Sequence, residues 1–201
     1  LLKEKGVDII ISDDGLQHYA LGRDIEILII DSNRLFGNAL MLPAGPLRED
    51  IERIASVDLI MVNGSKILTK DEPLLTNNPI EYFTIENEEV REVNSNQIRS
   101  IIDFADTEVQ VLAGIGNPER IYSELKKKGL HIIPIMAEDH ELIDLDTIEK
   151  EATIPIFITP KDYVKYQGKM RDNTWLLNPK IRIKERLMID SILNKLIGRN
   201  L

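Results

Sequence analysis

Cysteine is absent from the 201 residues, which excludes disulfides and thiolate zinc sites. No apolar run approaches the roughly 20 residues of a membrane-spanning helix, and no secretory signal pattern is visible. Basic charge is in short supply. Lys and Arg number 25 against 34 Asp and Glu, for a net charge of −9. A nucleic-acid partner is therefore not expected, since phosphate backbones call for clustered Lys and Arg. The pattern G-x-x-x-x-G-K-[ST] occurs nowhere, so the chain lacks a phosphate loop of its own. The first residue is Leu1, not Met, and Lys3-Glu4-Lys5-Gly6 reads as a helix end running straight into a strand. An N-terminal portion is accordingly expected upstream.

What is present is a globular composition, 43% apolar and 29% charged. It is long enough for one large domain or two small ones, and the expected compartment is the cytosol. The chain is organised around Val7-Asp8-Ile9-Ile10-Ile11-Ser12-Asp13-Asp14-Gly15-Leu16-Gln17-His18. Three consecutive isoleucines predict a short, fully buried strand. It stops on two carboxylates, a glycine, an amide and an imidazole, at the strand end where open α/β sheets bind ligands. Paired carboxylates suit a hard cation such as Mg²⁺. An acid ending a buried strand is also the metal-holding half of a nucleotide-triphosphate site. Asp-Asp-Gly is equally turn chemistry, with Asp13 a possible helix cap.

Strand and helix patterns then alternate. Ile25–Asp31 predicts a second buried strand, and 35–46 a loop rich in Gly, Pro and Asn. Residues 47–56 have helical spacing behind Pro46, and Val57–Asn63 predicts a third strand. Tyr82–Ile85 and Glu89–Val93 read as a thin two-stranded connection. A second unit follows, with strands at Val109–Ala113, His131–Met136, Ile154–Thr159 and Trp175–Leu177. Its helices are expected at Pro118–Lys128, near Lys161–Tyr166 and from about Lys184 to Ile197, with a capping box at Asp146–Glu149. The expected division is 1–78 core, 79–105 linker strands and 106–201 a smaller α/β domain.

Gly114-Ile115-Gly116 after a strand invites a dinucleotide-binding reading. Its third glycine is absent and no acid plainly ends the next strand, so a tight strand-to-helix turn is the better account. Asp139-His140 could be surface polarity or an oriented imidazole. His131, in an apolar strand, reads as structural. The last helix could lie on a membrane surface through Lys184 and Arg186, but ordinary core packing fits its charges better.

Four runs occur in order: Ser12–His18, Arg23-Asp24, Phe36-Gly37-Asn38, and Leu42-Pro43-Ala44-Gly45-Pro46-Leu47-Arg48-Glu49. With Ala113–Pro118 and Asp139-His140, their order and spacing resemble the tetraacyldisaccharide 4′-kinase family, the lipid A kinases of Gram-negative bacteria. The resemblance covers nearly the whole chain. It implies an α/β fold: the second half of a P-loop-type kinase core plus a smaller α/β domain, joined by a two-stranded connection. It also implies transfer of the γ-phosphate of ATP, with Mg²⁺, to the 4′-hydroxyl of an acylated glucosamine disaccharide 1-phosphate. That chemistry relies on positioning and charge stabilisation.

By the same resemblance, Asp14 and His140 are catalytic, His140 supporting an aspartate that lies upstream. Asp13, Asp14 and Glu49 match the metal site, and Gln17, His18, Asn38 and Arg48 the substrate site. The cofactor-binding phosphate loop falls before Leu1, as does a membrane-associated helix. The parent protein is thus expected on the cytoplasmic face of the inner membrane, with this stretch inactive alone. Departures are Ala20 for a usual Arg, Ala39 within the Phe-Gly-Asn-Gly loop, Glu141 for a second His and Pro160 for a Glu. Asp71-Glu72-Pro73 echoes the upstream catalytic stretch but follows the third strand, and is not assigned. A non-catalytic remnant or nucleotide- or lipid-binding module is the competing reading, and a dinucleotide oxidoreductase a third.

Overall fold

A computed structural model describes residues 6–64, 78–115, 118–135, 153–166 and 170–198. The capping box at 146–149, the Asp71–Pro73 stretch and Asp139, His140 and Glu141 lie outside these residues. Among the described residues, no helix is long and apolar enough to cross a membrane.

The chain divides into two compact units, residues 1–84 with 182–201, and residues 85–181. This differs from the expected division at 79–105. The last helix joins the first unit, and among the described residues no separate linker lies between the two. The chain instead crosses the boundary within two long strands.

In the first unit β1 (Ile27–Asp31), β2 (Leu59–Asn63) and the start of β3 (Ile80–Glu92) lie side by side and parallel. Ile30, Ile54, Val57, Ile60 and Val62 form its core. Two expectations fail here. Val7–Ser12 forms no strand, and Ile9, Ile10 and Ile11 are 54%, 62% and 90% exposed. An all-apolar run is a buried strand only when both faces are covered, and among the described residues nothing pairs with it. Likewise β1 is buried on one side only, since Ile27 and Ile29 are exposed.

The helix expected over 47–56 shortens to a 3-10 turn at Ile51–Ser56, which the Asp50 carboxylate caps by accepting the Glu52 N–H. Residues just before it are drawn away. Leu47 pairs with Met41 as a β-bridge, and Leu42 N–H donates to the Leu47 carbonyl at 2.8 Å. The terminal helix, here α3 (Leu187–Gly198), starts three residues later than expected.

The second unit holds the rest of β3 with its antiparallel partner β4 (Ile98–Ser100). It also holds the parallel set β5 (Glu108–Leu112), β6 (His131–Ile135), β7 (Ile156–Ile158) and β8 (Thr174–Ile183). There β5 is central, with β6 on one side and β7 on the other, and β8 lies beyond β7. Helices α1 (Pro118–Lys127) and α2 (Pro160–Tyr166) follow β5 and β7. Phe104 meets Phe157 and Trp175 edge-on, both at 5.1 Å, within the larger core.

Candidate active site

The turn after Ser12 is built by one arginine. Arg23 donates to the carbonyls of Gly15 (3.1 Å), Leu16 (3.0 Å) and His18 (2.6 Å) through its two terminal nitrogens, and to Leu21 through Nε. A planar fork with five donors is the side chain best able to gather several carbonyls at once. Glu26 then anchors Arg23 at 2.8 Å and Arg53 at 2.6 Å. The Arg53 hydrogen bond, against a smaller cost of burial, holds the Glu26 carboxyl below its ordinary range. Arg53 reaches on to Glu49 at 3.4 Å, and the Tyr19 hydroxyl donates to the same carboxylate.

Asp13 and Asp14 sit exposed on this turn, Asp14 in the left-handed backbone region at φ 51°. At Gly15 an added Cβ would lie 2.4 Å from the Ser12 hydroxyl, so a side chain there would require Ser12 to turn away. Arg48 brings the 46–50 segment onto the turn, with one terminal nitrogen 2.7 and 2.9 Å from the two Asp14 oxygens. That contact raises the basicity of Arg48. Asp14 and Arg48, 34 residues apart in sequence, are therefore in direct contact.

The other expected residues divide. Gln17 and His18 are exposed on the same turn. Asn38 works within its own loop, donating to the Ala44 carbonyl at 2.9 Å and accepting the Leu40 N–H at 3.2 Å. Gly45 permits this, since a Cβ would meet Asn38 Oδ1 at 2.1 Å. Glu49 is engaged by Tyr19 and Arg53 and does not gather with the aspartates. Among the described residues no group of three His, Cys, Asp or Glu could hold a metal. The donor chemistry still fits Mg²⁺, which takes one or two carboxylates and fills its shell with phosphate oxygens and water. Asp13 and Asp14 are the two exposed carboxylates on this turn that could supply them. Reading the sequence missed Arg23 and Glu26 as organisers. The available signal was an Arg five residues beyond a polar turn full of carbonyls.

The chain matches the model of the family described as LpxK, tetraacyldisaccharide-1-P 4′-kinase, over residues 1–197. It is 38% identical over 198 residues to a protein of Shewanella sediminis named tetraacyldisaccharide 4′-kinase, covering 96% of this chain and 55% of that one. A Haemophilus influenzae protein of the same name is 40% identical over 177 residues, covering 87% and 50%. The chain thus spans about half the length of these curated relatives. Its fold matches a crystal structure of LpxK from Aquifex aeolicus in complex with ATP, with a TM-score of 0.63 at 24% identity. That match covers 92% of this chain and 55% of the other.

Proposed function

Since this chain belongs to the tetraacyldisaccharide-1-P 4′-kinase family, we propose that it supplies the metal-holding turn of an ATP-dependent lipid kinase. The acceptor is the 4′-hydroxyl of an acylated glucosamine disaccharide 1-phosphate. The observation that carries the reading is the Asp13–Asp14 turn, tied by Arg23 and met by Arg48 at 2.7 Å.

Asp13 and Asp14 would hold Mg²⁺, which spreads the charge of the β- and γ-phosphates. Arg48 holds the Asp14 carboxylate in place at 2.7 Å, and its remaining donors suit a phosphate oxygen. Gln17 and His18 lie on the same exposed turn, within reach of a polar sugar. By the family resemblance, His140 is the candidate imidazole. An acceptor carrying acyl chains sits in a bilayer, so the parent protein works at the cytoplasmic face of the inner membrane.

The test uses whichever form of the protein shows ATP-dependent transfer to the disaccharide. Asp14→Asn keeps shape and removes charge. Turnover should fall about 10²–10³-fold, the usual cost of removing such a group, and the Mg²⁺ concentration for half-maximal rate should rise. Normal turnover in a variant that merely melts earlier would make Asp14 a turn residue and end this assignment.

A further inference from the structure

A second polar cluster lies at the carboxyl ends of β5 and β7, in the unit that does not contain the aspartate turn. Leu112 and Ile158 are register partners at the ends of these parallel strands, the edge where α/β sheets bind ligands. Asp162 there is 1% exposed. Its Oδ2 accepts the Gly114 N–H at 2.8 Å and the Thr159 hydroxyl at 2.6 Å, and its Oδ1 faces Lys165 Nζ at 3.2 Å. We propose that Lys165, seated on buried Asp162 against the Gly114 turn, is an oxyanion-binding group for a phosphate-bearing ligand.

Helix capping accounts for part of the cluster. Thr159 and Asp162 stand three apart, and the Asp162 N–H donates to Thr159 Oγ1 at 3.3 Å, the bond an N-cap hydroxyl makes to the first turn of a helix. Capping does not require Lys165 or Gly114. A Cβ on Gly114 would lie 2.6 Å from Asp162 Oδ1, so the glycine makes room for the carboxylate. The exposure is lopsided. The Asp162 side chain is 2% accessible and that of Lys165 27%, so the carboxylate is rooted and the cation reaches outward. An ammonium carries three donors, and among the described residues its hydrogen-bond acceptor is Asp162. Tyr122 is buried nearby. Burial, then the charges of Glu119 and Asp162, raise its hydroxyl above the usual range, so it stays a neutral phenol and adds no competing anion. The cluster therefore offers a fixed, partly desolvated ammonium at a ligand-binding edge, a setting in which charge-assisted bonds are strong.

The proposal does not rest on the kinase reading, and its test needs no turnover. The 201-residue chain, labelled with ¹⁵N, is titrated at low ionic strength with pyrophosphate, ATP and glucosamine 1-phosphate. Saturable shifts are expected at the Gly114, Ile115 and Thr159 amides. Lys165→Met keeps the stem but leaves buried Asp162 without its cation, so its melt should fall while the chain stays folded at the titration temperature and affinity falls about tenfold or more. Lys165→Arg should recover most of it. If ATP binds tighter than glucosamine 1-phosphate the source is a nucleotide, and if the order reverses it is a sugar phosphate. Unmoved amides in the parent chain, or equal binding by Lys165→Met, would overturn the proposal.

Discussion

Ala39 stands where the family resemblance implies a glycine, and its backbone explains why glycine would fit. Its φ is 59°, in the left-handed region, which costs an L-residue about 1–2 kcal/mol. Glycine there loses the strain and gives back about 0.4–1 kcal/mol of unfolded-state entropy. Ala39→Gly should therefore stabilise by about 0.5–1 kcal/mol, read from denaturant midpoints, and a loss of stability would contradict the strain.

Glu26 makes a second residue-scale prediction. Its folded value lies below the ordinary 4.5, the Arg53 hydrogen bond first among the causes. A carboxyl lowered on folding stabilises fully above its unfolded value, and the contribution fades as pH falls through the folded one. Glu26→Gln should therefore cost most at neutral pH, and the gap to the parent should close below about pH 4. A gap that is constant from pH 7 to 3 would detach the pair from stability.

At the scale of elements, β3 shows why a polar stretch can lie inside a strand. Glu86-Asn87-Glu88 looks like a break, and the sequence reading places two short strands around it. Asn87 is 4% exposed, however. Its N–H and side-chain Nδ2 both donate to the Glu124 carboxylate of α1, at 2.5 and 2.9 Å. The helix supplies the acceptors that let the strand run on for 13 residues. Glu124→Ala would leave both donors buried and unpaired. The expected loss is about 1–3 kcal/mol, with faster hydrogen exchange at the Asn87 amide. A change within about 0.5 kcal/mol, the scale of a neutral surface substitution, would mean the clamp is not structural. The opposite lesson comes from Val7–Ser12, where apolar content predicts burial and no neighbouring element provides it.

At the scale of the whole molecule, each unit has its own core, and the units carry different chemistry. One holds the Asp13–Asp14 turn, the other the Asp162–Lys165 cluster. No G-x-x-x-x-G-K-[ST] pattern is present, and positioning of the transferred phosphate supplies much of the acceleration in such reactions. Purified residues 1–201 should therefore not phosphorylate the lipid disaccharide, measured as transfer of labelled γ-phosphate. Clear ATP-dependent transfer would show that the chain carries an unrecognised phosphate cradle.

The sequence by itself determined the alternation of strands and helices, the family, and the turn that carries the paired carboxylates. These depend on local patterns: apolar runs of strand length, the glycines and prolines between them, and motifs a few residues long. The tertiary structure alone decided what is covered and what is joined. It exposes Ile9 to Ile11, because burial depends on a neighbour and not on composition. It carries β3 through Asn87, because the acceptor lies 37 residues away on α1. It gives α3 to the first unit, because β8 leads the chain back across the boundary. It also makes Arg23, Glu26 and Arg53 one framework beneath the aspartates, since a carbonyl left over by a turn is seen only once the turn has formed.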